Sequence, residues 1–183
     1  MKGNLQSPHR MIPSSFFKRP VLEICPDLLG HFLVTEIDGK IERFEITEIE
    51  AYDGPKDLAC HASKGRTART EVLFGDPGQW YVYLCYGVHW LLNVVTGPVD
   101  YPAAILIRGI GEWMGPGILT RELKIDRRFN AQPADTATGL WFEFSDSRNQ
   151  KYAFQTSPRI GVDYAGEWAA KPYRFFKAGY RSN

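Results

Sequence analysis

Asp38-Gly39 divides HFLVTEIDGKIERFEITEIEAY into two extended runs. Asp-Gly between such runs is a strong hairpin signal, because the turn needs residues that tolerate positive φ. Two strands joined in this way pair antiparallel, so the segment points to a locally connected sheet. In the second run, ITEIEAY over residues 46–52, alternation places Glu48, Glu50 and Tyr52 on one face and Thr47, Ile49 and Ala51 on the other. An acid beside an aromatic on a shared face is a candidate site, although a Glu in a half-buried antiparallel strand ordinarily faces water.

Further strands are expected at 80–86, 90–96 and 103–110. WYVYLCYGVHWLLNVV contains an aromatic strand that breaks at Tyr86-Gly87-Val88-His89, followed by a strand holding Asn93. This reads as a hairpin with Tyr86 at its tip. Tyr81, Tyr83 and Cys85 share one strand face and Trp80, Val82, Leu84 and Tyr86 the other, so most of these rings read as core. Tyr86 differs by its place at the turn: side chains at a protruding tip are how minor-groove proteins wedge between base steps. In AAILIRGI, Arg108 follows five residues that are all Ala, Ile or Leu. A charge there needs a partner, and Glu50 is the obvious carboxylate. Asn93, among Leu and Val, must also find partners if buried, as a structural bond or as a polar gate.

The 183 residues fit one domain, long enough to bury roughly two-thirds of its unfolded surface. With 14% aromatic residues the composition suits stacking as well as core packing. Net charge is +1, but residues 1–60 carry 7 basic and 10 acidic side chains and residues 61–183 carry 15 and 11, so a basic face is permitted without being required. Cys25, Cys60 and Cys85 lack CxxC spacing and read as reduced packing residues. His61 follows a loop with no second His or carboxylate at metal spacing, so no metal is expected. The polar, proline-marked start and the lack of an apolar run of about 18 residues suggest a soluble protein that is not secreted.

Residues 1–13 lack periodicity and read as a flexible arm, with the folded domain over 14–183. SSFFKRPVLEICPDLLG offers a Ser cap, one or two short helices and Gly30 as a stop. Residues 53–79 form a Gly/Pro-rich loop with about one helical turn, the kind of connection that carries function on a rigid scaffold. GPGILTRELKID reads as a helix whose glycine-rich start offers N–H donors to a phosphate. A strand or two are expected in LWFEFSD and near SPRIGVDY, then a short helix and an aromatic strand in AGEWAAKPYRFFKAGY.

Taken together, TEIEAYDGPKDLACHASKGRTARTEVLFGDPGQWYVYLCYGVHWLLNVVTG, AAILIRG, GPGILTRELKI and RIGVDYAGEWAAKPYRFF closely resemble the alkyladenine (3-methyladenine, methylpurine) DNA glycosylase family. The match runs from about Phe16 to Lys177. The resemblance implies an α+β fold: a single mixed domain with a curved antiparallel sheet, a protruding β-hairpin that enters the minor groove, and short helices around it. It implies a monofunctional base-excision-repair enzyme that flips damaged purines (3-methyladenine, 7-methylguanine, hypoxanthine, ethenoadenine) and hydrolyses the N-glycosidic bond without a cofactor. By position, Glu50 is the base that activates the water and Arg108 helps to hold it. Tyr52, His61 and Tyr83 line the pocket, Tyr86 fills the gap left by the extruded nucleotide, and Asn93 crowds the amino group of normal guanine. The partner is double-stranded DNA, with no membrane, and the expected state is a monomer in a cytoplasmic, nucleoid-associated setting. The sequence departs from the family at Ala68, where many relatives have proline, at Val88 and His89 in the tip, and in a short Gly111–Gly117 segment.

Two other readings compete. Glu48 and Glu50 would lie roughly 7 Å apart on an extended strand, within the range of paired glycosidase carboxylates, but acids on one strand face do not easily flank a bond. Aromatics plus basic residues also suffice for a non-catalytic module that binds damaged or single-stranded DNA.

Overall fold

The computed structural model describes residues 10–145 and 153–179. The Asp38-Gly39 hairpin is present: β1 (Phe32–Ile37) pairs antiparallel with β2 (Lys40–Asp53), closing at the Ile37/Lys40 pair. Asp38 and Gly39 both have positive φ, 53° and 75°, as a turn matched to the strand twist requires. The 14-residue β2 is the spine of the sheet. Its first half pairs with β1, and its second half pairs with β5 (Ala103–Ile110) on one side and β9 (Arg174–Lys177) on the other.

The remaining strands follow by antiparallel pairing. A β3 (Trp80–Cys85) and β4 (His89–Thr96) hairpin joins β5, and β6 (Trp113–Met114) folds back on the end of β5. Thus the short Gly111–Gly117 segment begins as a tight turn, pairing Ile110 with Trp113. A β7 (Leu140–Glu143) strand flanks β1, and β8 (Phe154–Ser157) flanks β9. The main path of the sheet runs β3-β4-β5-β2-β1-β7. The only described α-helices are α1 (Val21–Leu28) and α2 (Pro116–Glu122). The fold is α+β, and none of the described helices is long and apolar enough to cross a membrane.

Period-two alternation divides the sheet into two faces. Ile49, Ala51, Trp80, Val82, Leu92, Val94, Ile105 and Ile107 enter the main core with α1 and Phe142. A register shift around residues 46–49 lets Ile46 and Ile49 both enter that core although they are three apart. On the opposite face, one register row crosses five strands as Tyr81, Asn93, Leu106, Glu50 and Arg174. Single-turn helices at His61–Lys64 and Glu71–Phe74, and the segment Asp163–Trp168, lie outside the sheet.

Several expectations change in detail. Of residues 1–13, residues 1–9 lie outside the described residues, while Met11 bridges Glu143 and the Ile12 N–H donates to the Phe142 carbonyl. Ser14 is the first residue of a 3-10 turn rather than its cap, and its N-cap, Pro13, has no side-chain cap bond. The loop 53–79 has two 3-10 turns instead of one. Strand β8 precedes Pro158, so the SPRIGVDY segment is mostly non-strand. Pro116 opens α2 and has no N–H, so this helix start offers fewer donors than its glycines suggest.

Candidate active site

The sheet face opposite the main core, together with the loops above it, encloses a cavity of about 410 Å³. Tyr52, His61, Tyr83, Asn93 and Arg108 all line it, and Tyr86 stands at its edge. Glu50 is 0% exposed and lies behind this lining. Its three nearest polar partners, Tyr52, Arg108 and Ile160, are cavity residues. The six expected site residues other than Tyr86 therefore come together around one space: strand positions supply Glu50, Tyr52, Tyr83, Asn93 and Arg108, and the 3-10 turn His61–Lys64 supplies His61.

Glu50 is held from three directions. The Tyr52 hydroxyl donates to Oε2 at 2.9 Å, the Ile160 N–H donates to Oε1 at 2.8 Å, and the Arg108 Nε lies 3.4 Å from Oε1. Each carboxylate oxygen has two acceptor sites, so this array leaves acceptor capacity. Burial raises the Glu50 pKa above the ordinary carboxylate range, and the neighbouring Glu48 adds to the rise. Arg108, the Ile160 N–H and the Tyr52 hydroxyl oppose it. Burial and the adjacent Glu50 push the Tyr52 hydroxyl well above the usual phenol range, so it remains a neutral donor.

Arg108 pairs with Glu50 as expected, and more closely with Glu48. Its Nε hydrogen goes to Glu48, at 3.0 Å, while Glu50 is the more distant carboxylate. The Arg174 Nε donates to the same Glu48 oxygen at 2.6 Å. Two guanidiniums and two carboxylates thus form a balanced buried cluster in which Glu48 anchors both arginines. Sequence reasoning treated Glu48 only as half of an unfavoured acid pair, although its shared face with Glu50 was the available signal.

The aromatic wall is polar at specific points. His61 Nδ1 is 2.9 Å from the Tyr81 hydroxyl, and its ring meets Tyr83 edge-on at 4.6 Å. Burial, with help from Arg69 and Lys64, lowers the His61 pKa to about 4, so the imidazole is neutral at pH 7. Tyr81, buried in a small hydrophobic cluster as expected, also lines the cavity. Arg69 places its guanidinium carbon 5.1 Å from the Tyr83 ring centre, and Tyr164 contributes another ring at the mouth. Neither Arg69 nor Tyr164 was singled out in the sequence, because nothing local distinguishes an arginine or tyrosine in a loop. The Ile160 N–H was equally hidden, being a backbone donor.

Asn93 is 3% exposed and its Nδ2 donates to the Tyr81 carbonyl at 3.1 Å. It is therefore both structurally bonded and part of the wall. Tyr86, by contrast, is 94% exposed, with Val88 also exposed beside it. Tyr86 has φ 50° and Gly87 φ 70°, and Cys85 pairs with His89 across the loop. Among the described residues, no three of His, Cys, Asp and Glu gather in a way that could hold a metal ion.

Comparison with known proteins shows which family the chain is similar to. The sequence profile of the methylpurine-DNA glycosylase family matches residues 15–114 and 111–181. A protein of Methanocella arvoryzae named "Putative 3-methyladenine DNA glycosylase" is 41% identical over an alignment 186 positions long that takes in 91% of this chain and 92% of that protein. Proteins of the same name in Myxococcus xanthus and Legionella pneumophila (strain Corby) are 42% and 38% identical, covering 90% and 91% of this chain and 89% and 94% of their own. With similarity running through the cavity-forming strands and loops alike, the chain belongs to the methylpurine-DNA glycosylase family.

Proposed function

We propose that this protein is a monofunctional DNA glycosylase of base-excision repair. It flips alkylated or deaminated purines of the 3-methyladenine, 7-methylguanine, hypoxanthine and ethenoadenine class out of double-stranded DNA, then hydrolyses the N-glycosidic bond with an activated water. The observation that carries this reading is a buried carboxylate, Glu50, set between Tyr52, Arg108 and the Ile160 N–H at the back of an aromatic cavity.

The chemistry follows from the charges. Alkylated purines such as 3-methyladenine are cationic, and the π faces of Tyr52 and Tyr83 attract them by roughly 0.5–2 kcal/mol beyond stacking. The same positive charge makes the base a good leaving group. As the bond stretches, positive charge grows on the sugar, where the Glu50 carboxylate stabilises it and takes the proton of the attacking water. Arg108, held by Glu48, helps to keep that water in place. No lysine is among the described residues lining the cavity, which favours water over an amine as nucleophile.

The test is incubation with duplex DNA carrying one of the four lesions, followed by measurement of free purine and alkali-labile sites. Release of purine with no borohydride-trapped adduct is expected. Tight binding without release would replace the enzyme with a damage-binding module.

A further inference from the structure

We propose that the buried ion pair of Asp57 and Arg159 is a positioning device that sets the two donors of Glu50, an inference that rests on Glu50 as the hydrolytic base. Both side chains are fully buried. Arg159 Nη2 donates to Asp57 Oδ1 at 2.8 Å and to the Trp168 carbonyl at 3.3 Å, and Nη1 donates to Asp57 Oδ2 and to the Ala51 carbonyl at 2.8 Å. Asp57 also accepts the N–H groups of Asp53 and Ala59, each at 3.0 Å. One ion pair therefore ties the end of β2 to the loop leading into His61 and to the segment 159–168.

Both donors of Glu50 depend on that knot. Arg159 lies immediately before Ile160, whose N–H reaches Glu50 Oε1 at 2.8 Å. Its guanidinium carbon is 4.7 Å from the centre of the Tyr52 ring and 5.2 Å from that of Tyr173, so it backs the ring whose hydroxyl reaches Glu50 Oε2. Fixing two donors on one carboxylate from separate segments demands rigid supports, since small misplacements are costly in catalysis. Stability alone is a poor reason for such a pair, because a buried ion pair is often no better than well-packed apolar residues. Lysine is no substitute, because only the planar guanidinium bonds Asp57 through two nitrogens while lying against two rings.

The charged and titratable groups that face Glu50 are Glu48 and Tyr52 of β2, Arg108 of β5, Arg174 of β9, Tyr83 of β3 and Arg159 itself. Loosening the knot weakens the two hydrogen bonds, from Ile160 and Tyr52, that favour the ionised carboxylate, so Glu50 holds its proton to higher pH. The experiment uses the full chain with ¹³C-labelled glutamate carboxyls, the Glu50 signal being assigned by its loss in Glu50→Gln. In Asp57→Asn/Arg159→Met, Glu50 is expected to titrate about 1 pH unit or more higher, the size of losing one charge-assisted hydrogen bond. The acidic limb of excision should move with it. Arg159→Lys, which keeps a cation beside Asp57, should give a smaller shift and serves if the double variant does not fold. An unchanged Glu50 titration in a folded variant, with only a lower melting temperature, overturns the proposal. A shifted titration in the variant, with a wild-type chain that excises no lesion, would instead keep the positioning role and remove the glycosylase reading.

Discussion

Arg108 gives its Nε hydrogen to Glu48 and only approaches Glu50, at 3.0 Å against 3.4 Å. The guanidinium that faces the cavity is therefore aimed by one carboxylate, while the other is the proposed base. Arg174 grips the same Glu48 oxygen from β9 at 2.6 Å, which locks Glu48 in turn. Glu50 is left with acceptor capacity beyond its Tyr52 and Ile160 bonds, as a base that must take a proton requires.

This arrangement predicts opposite effects on rate and on pH profile when Glu48 is neutralised. Glu48→Gln loosens Arg108, so the plateau rate of excision should fall by about 10- to 100-fold, the scale of a misplaced positioning group. It also removes a negative neighbour that raises the pKa of Glu50. Released from Glu48, the Arg108 Nε is free to turn to Glu50, 3.4 Å away, which leaves the guanidinium misaimed but keeps its cation beside Glu50, so the acidic limb should move to lower pH even as the plateau drops. A pH series of single-turnover rates reads both quantities at once. An upward shift of the limb, or an unaltered plateau, would contradict this role for Glu48.

Glu50→Gln should bind lesion DNA with little change, measured by fluorescence anisotropy, while losing about 100-fold or more of its excision rate. The wild-type pH profile carries a second check. Burial holds the Glu50 carboxyl above its ordinary value, and the base must be ionised to work. Activity should therefore fall as pH drops through that raised value, at a higher pH than an exposed Glu of pKa about 4.3 would give. The limb should vanish in the Gln variant, and substantial turnover by that variant would sink the assignment.

Much of this site was readable in the chain because a strand has a fixed period. Alternation alone put Glu48, Glu50 and Tyr52 on one face, and the Asp38-Gly39 turn set the antiparallel pairing of β1 with β2, while the apolar run before Arg108 marked β5 as a buried strand whose charge needs a carboxylate partner. What alternation does not supply is which acid an arginine chooses. The register shift near Glu48 leaves that residue next to Arg108, and a bulge is a property of pairing rather than of one strand. Residues delivered by loops were harder still. Ile160 acts through its N–H and Arg159 through a partner 102 positions away, and neither leaves a local pattern.

Asn93 should set the discrimination against normal guanine. Its side chain lines the cavity while Nδ2 is committed to the Tyr81 carbonyl, so the group cannot swing aside without losing a buried hydrogen bond. Asn93→Ser shortens the wall and should raise excision of guanine relative to hypoxanthine. One substituted methylene-sized contact is worth about 1–3 kcal/mol of selectivity, or about 10- to 200-fold. If competition assays show no gain for guanine and only a lower melting temperature, Asn93 serves the hairpin alone.

Tyr86 offers the sharpest separation of wedge from core. At 94% exposure its ring is almost uncovered by the described residues, and its positive φ of 50° is a conformation most side chains avoid. Truncating an exposed side chain should change stability by no more than about 0.5 kcal/mol. In DNA the same ring can fill the vacancy beside an extruded base, where stacking is worth about 1–3 kcal/mol. Tyr86→Ala should therefore weaken binding to a lesion in paired duplex by about 5- to 150-fold and slow its excision. When the lesion sits in a bulge, extrusion is already partly accomplished, and the defect should shrink. Tyr86→Gly should lose the wedge equally while relieving the positive φ, and so melt no lower than the Ala variant. Equal losses on paired and bulged substrates would remove Tyr86 from the wedge role, and a lower melting temperature would return the ring to the fold.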